Sequence, residues 1–161
     1  MANYHFEAKV IQRSKGMSIT DRVAYITAQK LVDAYTGRTY DRRSHNGSVP
    51  HFEIALPPDA PSEYRDVQCL LDALNASEKR KDAQMGRSYI LSLPLELSGD
   101  QQLDLAREFV KENFTRIGQC TIWALHRNEP NRQERGDNLL PVKEIRENPH
   151  LHLIVPFRAV D

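Results

Sequence analysis

The sequence has 161 residues, of which 40% are hydrophobic and 27% are charged, as in an ordinary globular domain rather than a disordered chain. Its 22 basic and 22 acidic side chains cancel, which argues against a protein that binds nucleic acid through a generally basic surface. Residues 1–53 carry eight Lys or Arg against five Asp or Glu, so we expect any basic surface to be local.

The sequence also bears on the compartment in which the chain works. No apolar stretch approaches the roughly 20 residues of a membrane span, and the N-terminal residues lack the apolar core of a signal peptide. These features predict a cytoplasmic protein without membrane insertion. Its two cysteines, Cys69 and Cys120, are expected to be free thiols in that reducing environment.

The first half of the chain is predicted to form strands around one helix. Alternating polar and apolar residues indicate the strands, and a turn at Thr36-Gly37 indicates a short hairpin. Ser18 is a suitable N-cap, and Asp21 places a carboxylate near the helix N-terminus. The predicted elements are a strand over 4–12, a helix from Ser18 to about Lys30, two short strands within 31–40 and a strand over 51–56.

The second half is predicted to add three helices and three strands. Ser98 and Gln101 have the spacing of a capping box, and the prolines over 127–149 indicate a long polar loop. The predicted elements are helices over 61–74, 77–86 and 98–113, and strands over 88–93, 120–126 and 150–156. Such a mixture predicts one α+β domain over 1–161, in which helices cover one face of a largely antiparallel sheet. The histidine-bearing strands are then expected to present the other face to solvent.

Three histidines carry the clearest chemical signal. His150 and His152 have the i, i+2 spacing that puts both imidazoles on one face of a strand, and His126 ends another apolar strand. If the two strands are neighbours, three neutral imidazoles converge and can bind a divalent metal with coordination positions left open. The alternative is that these histidines are simply hydrogen-bonded and bind no metal. A His-x-His pair on a strand is common by chance, and one half-buried histidine is usually just hydrogen-bonded.

Tyr25 is the second candidate residue. Ile19, Val23 and Ile26 form the apolar stripe of the first helix, and Tyr25 lies roughly 120° from its centre at about 100° per residue. A phenol with a pKa of about 10 is a poor nucleophile at neutral pH, but a nearby metal or base can activate it. An ordinary surface tyrosine on an amphipathic helix is the alternative.

Several segments, in chain order, resemble the MobA/MobL relaxases, the DNA-nicking enzymes of mobilisable plasmids. Each similarity is modest, but together they extend over nearly the whole chain, and Tyr25 falls where that family has its nucleophilic tyrosine. The segments are Tyr4–Ile11, Arg13–Gly16, Ala24-Tyr25, Lys30–Asp33 with Thr36-Gly37, His51–Ile54 with Leu56-Pro57, Glu78–Gln84, Leu93–Leu97 with Gln101-Gln102, His126 and Asn148–His152.

The resemblance implies a single relaxase domain with a ferredoxin-like or palm-like architecture, in which about five largely antiparallel strands are flanked by helices. It implies that Tyr25 attacks the scissile phosphate of single-stranded or locally melted transfer-origin DNA and forms a 5′-phosphotyrosine. It also implies a divalent metal, Mg²⁺ or Mn²⁺ in the cell, at His126, His150 and His152. By affinity, three imidazoles also suit Zn²⁺, Ni²⁺ or Co²⁺.

The same resemblance suggests how the DNA is held and which proteins assist. Basic side chains near the ends of the first elements are candidates for phosphate contacts. The alternative is that these side chains simply face solvent and bind no phosphate. These candidates are Lys15, Arg22, Arg42 and Arg43. Accessory mobilisation proteins and a type IV coupling protein are the expected protein partners.

One departure from the family pattern leaves the activity open. The family carries two glutamates, as Arg-Glu-aromatic-Glu, before its Leu-Pro, whereas this chain has Ser88 and Ile90 at those positions. A carboxylate pair that could orient a ligating histidine is therefore missing. The alternatives are a degenerate relaxase that binds origin DNA or metal without cutting, and an unrelated metal-binding α+β domain.

Overall fold

The computed structural model of the protein describes residues 5–127 and 149–158. Most of the predicted loop over 127–149 lies outside these residues, as do Tyr4 and the last three residues. The strands are β1 Phe6–Gln12, β2 Lys30–Val32, β3 Thr39–Asp41, β4 His51–Ala55, β5 Gln84–Ser92, β6 Thr121–His126 and β7 His150–Pro156, and the helices are α1 Ile19–Thr27, α2 Val67–Ser77 and α3 Gly99–Asn113. Within this part of the chain, no helix is both long and apolar enough to cross a membrane.

Five of the described strands form one antiparallel sheet in the order β1-β5-β7-β6-β4. β2 and β3 form a separate hairpin, as the turn at Thr36-Gly37 predicts. The α+β class and the five-stranded antiparallel sheet are therefore confirmed. β7 lies at the centre of the sheet, and all seven of its residues are buried.

The sheet is covered on both faces, so the expectation that helices cover only one face is wrong. α1 and α2 pack with Ile122, Ala124 and Ile154 in one core cluster. α3 packs on the opposite face, with Trp123 and Leu153 in a second cluster. The physical reason lies in β7, whose alternate positions are apolar on both sides apart from its two histidines, as in a strand that is buried on both faces.

The helix starts follow the predicted capping chemistry. The Ser18 hydroxyl accepts a hydrogen bond from the backbone N–H of Asp21 and begins α1. Ser98 and Gln101 form the complete capping box of α3. These caps satisfy backbone donors that have no partner inside the helix. The local signals therefore place the start of the helix that carries Tyr25 correctly. Its predicted end near Lys30 is wrong, because Ala28 adopts a left-handed conformation that ends α1 at Thr27, and Lys30 begins β2.

The predicted helix over 77–86 is wrong, because α2 ends at Ser77 and β5 begins at Gln84. The intervening residues turn the chain, and Arg80 pairs with Asp82 across the turn at 2.8 Å. A Cβ on Gly86 would lie only 2.6 Å from the Val155 carbonyl oxygen of β7. This close approach of two strands selects a glycine and is invisible in the charged composition of the segment. α2 also begins later than predicted, at Val67, after a short 3₁₀ turn at Ser62–Arg65.

Candidate active site

The sheet register brings the three predicted histidines together. His126 on β6 is paired with His150 on β7, and His152 lies two residues farther along the same face. Their potential ligand nitrogens all lie within 4.8 Å of one another. Ligands at roughly 2.1 Å from one ion are about 3–4 Å apart, so the three nitrogens are near the spacing that a single ion requires. Within the described residues, the cluster consists of these three ligand residues, which leaves coordination positions for other groups.

The triad is buried under helix α1. His126 is 1% exposed, and His150 and His152 are each 7% exposed. The neutral imidazole is the form that binds metals, and all three rings lie close enough together to face one ion. The expectation that the histidines lie on a solvent-facing side of the sheet is therefore wrong. They lie between the centre of the sheet and helix α1 above it.

A hydrogen bond connects the triad to that helix. The Nε2 atom of His126 lies 2.7 Å from the carbonyl oxygen of Ile26 in the last turn of α1. Because a carbonyl oxygen can only accept, Nε2 carries the hydrogen and the lone pair is on Nδ1. This arrangement fixes the tautomer that offers Nδ1 to a metal, a task often performed by a carboxylate. A backbone carbonyl has no signature in the sequence.

Tyr25 lies next to the triad, one residue before Ile26. Its ring centroid is 6.0 Å from that of His126 and 6.2 Å from that of His152. The side chain is half-buried and packs against the edge of the first core cluster. Its position away from the main apolar stripe therefore directs it toward the histidines rather than into solvent.

His45 is a neighbour of Tyr25 that the sequence did not predict. The two ring centroids are 5.3 Å apart with an interplanar angle of 64°, an edge-to-face arrangement. His45 belongs to the 3₁₀ turn Arg43–Ser48. Its location in a polar loop, 20 residues from Tyr25, gave no local signal that could have identified it.

The four predicted phosphate-binding side chains have different surroundings. Arg42 pairs with Asp21 of α1 at 2.7 Å, and Arg43 pairs with Asp41 at 2.7 Å. The Arg43 guanidinium lowers the pKa of Asp41 to about 2, mainly through its hydrogen bonds. Both arginines are therefore partly neutralised by carboxylates.

The other two basic candidates lie at different distances from the tyrosine. Arg22 is half-buried on α1, one turn before Tyr25. Lys15 is exposed before the start of α1. Since α1 begins at Ile19, Lys15 lies four residues before the helix and ten residues before Tyr25 in the chain. Arg22 is thus the candidate closest to Tyr25 along the helix, and a DNA contact remains a prediction for all four.

The positions of the missing glutamates flank the triad. Ile90 of β5 pairs directly with His152, and Ser88 pairs with Ile154. Both side chains project to the histidine face of the sheet. A carboxylate at position 90 would stand beside His152, so its replacement by isoleucine removes an acidic neighbour. Glu7 of β1 pairs with Ile90 from the other side, one strand farther from the histidine.

Comparison with known proteins gives a consistent result. Residues 17–161 match the profile of the MobA/MobL family. The chain is 31% identical, over 99% of its length, to conjugal transfer protein TraA of Rhizobium radiobacter, of which it covers 14%. It is 27% identical, over its whole length, to probable mobilization protein MobA of Bifidobacterium longum, of which it covers 26%. Mobilization protein MobL of Acidithiobacillus ferridurans is 34% identical over 78% of the chain, which covers 32% of that protein.

A solved structure shares the fold. It comes from work on the molecular basis of vancomycin resistance transfer in Staphylococcus aureus, and it superimposes with a TM-score of 0.80 at 28% sequence identity. The match covers 99% of this chain and 73% of that one. The chain thus has the relaxase architecture, while it spans less than a third of the length of the curated relatives described above. On the profile match over 17–161 and these relatives, the chain belongs to the MobA/MobL family.

Proposed function

We propose that this chain is a relaxase domain that cuts one strand of transfer-origin DNA with Tyr25, assisted by a divalent ion at His126, His150 and His152. The observation that carries the proposal is the position of Tyr25, whose ring centroid lies 6.0–6.2 Å from two of three converging histidines. Membership of the MobA/MobL family supports the same assignment.

The proposed reaction is a transesterification. The Tyr25 phenol oxygen forms a bond to phosphorus, and the bond between phosphorus and the 3′-oxygen of the preceding nucleotide breaks. The products are a 5′-phosphotyrosine and a free 3′-hydroxyl. The phenol loses one proton and the 3′-oxygen gains one, so the step needs no net proton. One ester replaces another, and the bond energy remains available for rejoining the strand.

The three histidines fit a divalent metal by their donor chemistry. All are buried, and His126 is held in the tautomer that leaves Nδ1 as a donor. A bound ion would act as a Lewis acid toward the phosphate. As the family resemblance implies, we expect Mg²⁺ or Mn²⁺ in the cell, although imidazoles bind Zn²⁺, Ni²⁺ and Co²⁺ more tightly.

The expected substrate is single-stranded or locally melted DNA in the cytoplasm. A tyrosine on a short helix above a sheet reaches a phosphate more readily in an exposed strand than in a duplex. Arg22, one turn from Tyr25, is the first candidate for a phosphate contact, followed by Lys15, Arg42 and Arg43. Accessory mobilisation proteins and a type IV coupling protein are proposed partners.

Covalent capture tests the proposal. The chain is incubated with Mn²⁺ and 3′-labelled single-stranded oligonucleotides that carry the transfer origin of its own genetic element. We expect a labelled protein adduct on a denaturing gel, because the 5′-phosphotyrosine remains on the labelled fragment. Tyr25→Phe should abolish the adduct, while Tyr64→Phe, which alters a half-buried tyrosine of the same core cluster, should retain it. An adduct that persists in Tyr25→Phe would rule out the assigned nucleophile.

A degenerate relaxase is the second candidate, and Ile90 beside His152 is the observation that favours it. Such a protein would bind origin oligonucleotides and metal but give no adduct. Ile90→Glu distinguishes the two, since it places a carboxylate next to His152. An adduct formed by Ile90→Glu but not by the natural sequence would establish that the natural site is degenerate.

A further inference from the structure

We propose that His45 is a positioning residue for Tyr25, whose imidazole packs against the phenol ring and keeps that ring directed toward the histidine triad. The effect on DNA cutting rests on the proposed function, whereas the packing itself does not. Neither the family assignment nor the metal site requires a role for His45.

The contact between His45 and Tyr25 has the geometry of an attractive aromatic pair. The two rings are 5.3 Å apart at 64°, within the range where an edge-to-face pair is attractive. This distance is shorter than those from Tyr25 to His126 and His152, at 6.0 and 6.2 Å. An edge-to-face contact depends on the orientation of both rings, so it favours one orientation of the phenol plane.

The turn that carries His45 is attached to the rest of the domain on two sides. On one side, the Arg42 backbone N–H donates to the Gln29 carbonyl at 3.0 Å. On the other, the Arg127 backbone N–H donates to the Ser48 carbonyl at 3.0 Å, directly after His126. The turn is therefore fixed to the segment that follows α1 and to the end of the histidine strand.

A salt bridge strengthens the first attachment. The Arg42 guanidinium binds Asp21 in the first turn of α1, with Nη2 and Nε at 2.7 and 2.9 Å from one carboxylate oxygen. Arg42 thus contacts both the beginning of α1 and the residues after its end. His45, three residues later in the chain, is held in place relative to the helix that carries Tyr25.

Tyr25 must be correctly oriented in order to react. It lies in the last turn of α1 and is half-buried, and His45 is one of the groups whose rings pack against it. A rotation of the side chain would change the direction of the phenol oxygen relative to the triad. Correct orientation of the attacking atom is a major part of catalysis, and loss of one aromatic contact is expected to slow the covalent step by roughly three- to tenfold.

The experiment compares His45→Ala and His45→Phe with Asn46→Ala, a matched control whose exposed side chain belongs to the same turn. Protein labelled with 3-fluorotyrosine is studied by ¹⁹F NMR without metal or DNA, and the Tyr25 signal is assigned by its loss in Tyr25→Phe. Thermal unfolding verifies that each variant is folded. The rate of adduct formation at saturating origin oligonucleotide and the affinity for that oligonucleotide are measured separately.

We expect His45→Ala to move the Tyr25 signal toward that of free 3-fluorotyrosine and to slow adduct formation three- to tenfold, with affinity unchanged within about twofold. His45→Phe, which keeps an aromatic ring, should remain close to the natural protein in both measurements. Asn46→Ala should change neither. If the natural protein forms no adduct but His45→Ala still moves the signal, the proposed function fails while the positioning contact is retained.

Three results would overturn the proposal. The first is a Tyr25 signal and an adduct rate in His45→Ala that equal those of the natural protein. The second is an equal effect from Asn46→Ala, which would assign the effect to the turn rather than to the imidazole. The third is slow adduct formation in His45→Phe with an unmoved Tyr25 signal, which would make the ring nitrogens, and not the packing, the important feature.

Discussion

The Nε2 atom of His126 donates a hydrogen bond to the carbonyl oxygen of Ile26, 2.7 Å away, and so connects a candidate metal ligand to the residue that follows Tyr25. The last carbonyls of a helix have no partner within the helix and carry its partial negative charge. The imidazole N–H therefore caps α1 while it fixes the tautomer of His126. The candidate metal site and the candidate nucleophile share one structural support.

Replacement of His126 is expected to loosen the end of α1 even without metal. In His126→Ala, the Ile26 carbonyl loses its donor, at a cost of about 1–3 kcal/mol for a buried acceptor. We expect faster hydrogen exchange at the amides of Ala28 and Gln29, which close this helix end. His150→Ala is the control, because it removes a triad imidazole of similar burial on the neighbouring strand. Equal exchange in the two variants would contradict the capping role.

Metal binding by the triad can be measured without DNA. Co²⁺ gives visible absorption bands when nitrogen ligands replace water, so titration of the protein should produce a spectrum with a stoichiometry of one. Each of His126→Ala, His150→Ala and His152→Ala is expected to weaken binding at least tenfold, since one of three protein ligands is lost. His51→Ala is a matched control, because His51 lies on the opposite face of the sheet, on the edge strand β4, and binds Glu53. Binding that survives all three triad variants would refute the assignment.

The ion pair between Glu53 and Arg107 should make stability depend on pH. Burial acts to raise the pKa of Glu53, but hydrogen bonds from Arg107 and His51 outweigh it, and the pKa is lowered. A carboxyl group with a lowered pKa stabilises the fold above its ordinary pKa, and this stabilisation is lost as the pH falls through the lowered value.

We therefore expect Arg107→Ala to reduce the free energy of unfolding at pH 7 by a small amount, because solvent screens the exposed arginine. The difference from the natural protein should be smaller at pH 3 than at pH 7. Urea denaturation at both pH values tests this. Arg116→Ala, which breaks an exposed pair with Glu112 within one helix, should cost only about 0.3–0.5 kcal/mol at pH 7. A larger effect of Arg107→Ala at pH 3 than at pH 7 would contradict the sign.

Replacement of Gly86 by alanine is predicted to destabilise the fold, because this glycine lies against the central strand. Its added Cβ would lie 2.6 Å from the Val155 carbonyl oxygen and 3.0 Å from the Pro156 Cα, both backbone atoms of β7. Because the central strand cannot move easily, Gly86→Ala should destabilise the fold by about 1–3 kcal/mol. Gly47→Ala meets no atom within 4 Å and should be nearly neutral. Chemical denaturation of the two variants measures the difference, and a neutral Gly86→Ala would contradict the close approach.

The sequence allowed the local elements and the main histidine cluster to be predicted, because these depend on short-range rules. Ser18 and Ser98 cap helices through hydrogen bonds three residues away, and the spacing of His150 and His152 alone puts them on one face. The hydrogen bond from His126 to the Ile26 carbonyl was not predictable, since every residue has a backbone carbonyl. His45 reaches Tyr25 only through the fold of its turn. The helix predicted over 77–86 is wrong because the charged, helix-forming composition of the segment does not show that Gly86 must fit against β7.

The position of β7 has a consequence for the time at which the site forms. This strand comes last among the described strands in the chain, yet it lies between β5 and β6 and pairs with both. It also supplies two of the three triad histidines. A nascent chain released from the ribosome only as far as β6 would thus hold Tyr25 and His126 but lack both the central strand and two ligands. The geometry therefore links assembly of the candidate active site to the pairing of β7, so Tyr25, the candidate nucleophile, stays without the complete triad until β7 has been synthesised.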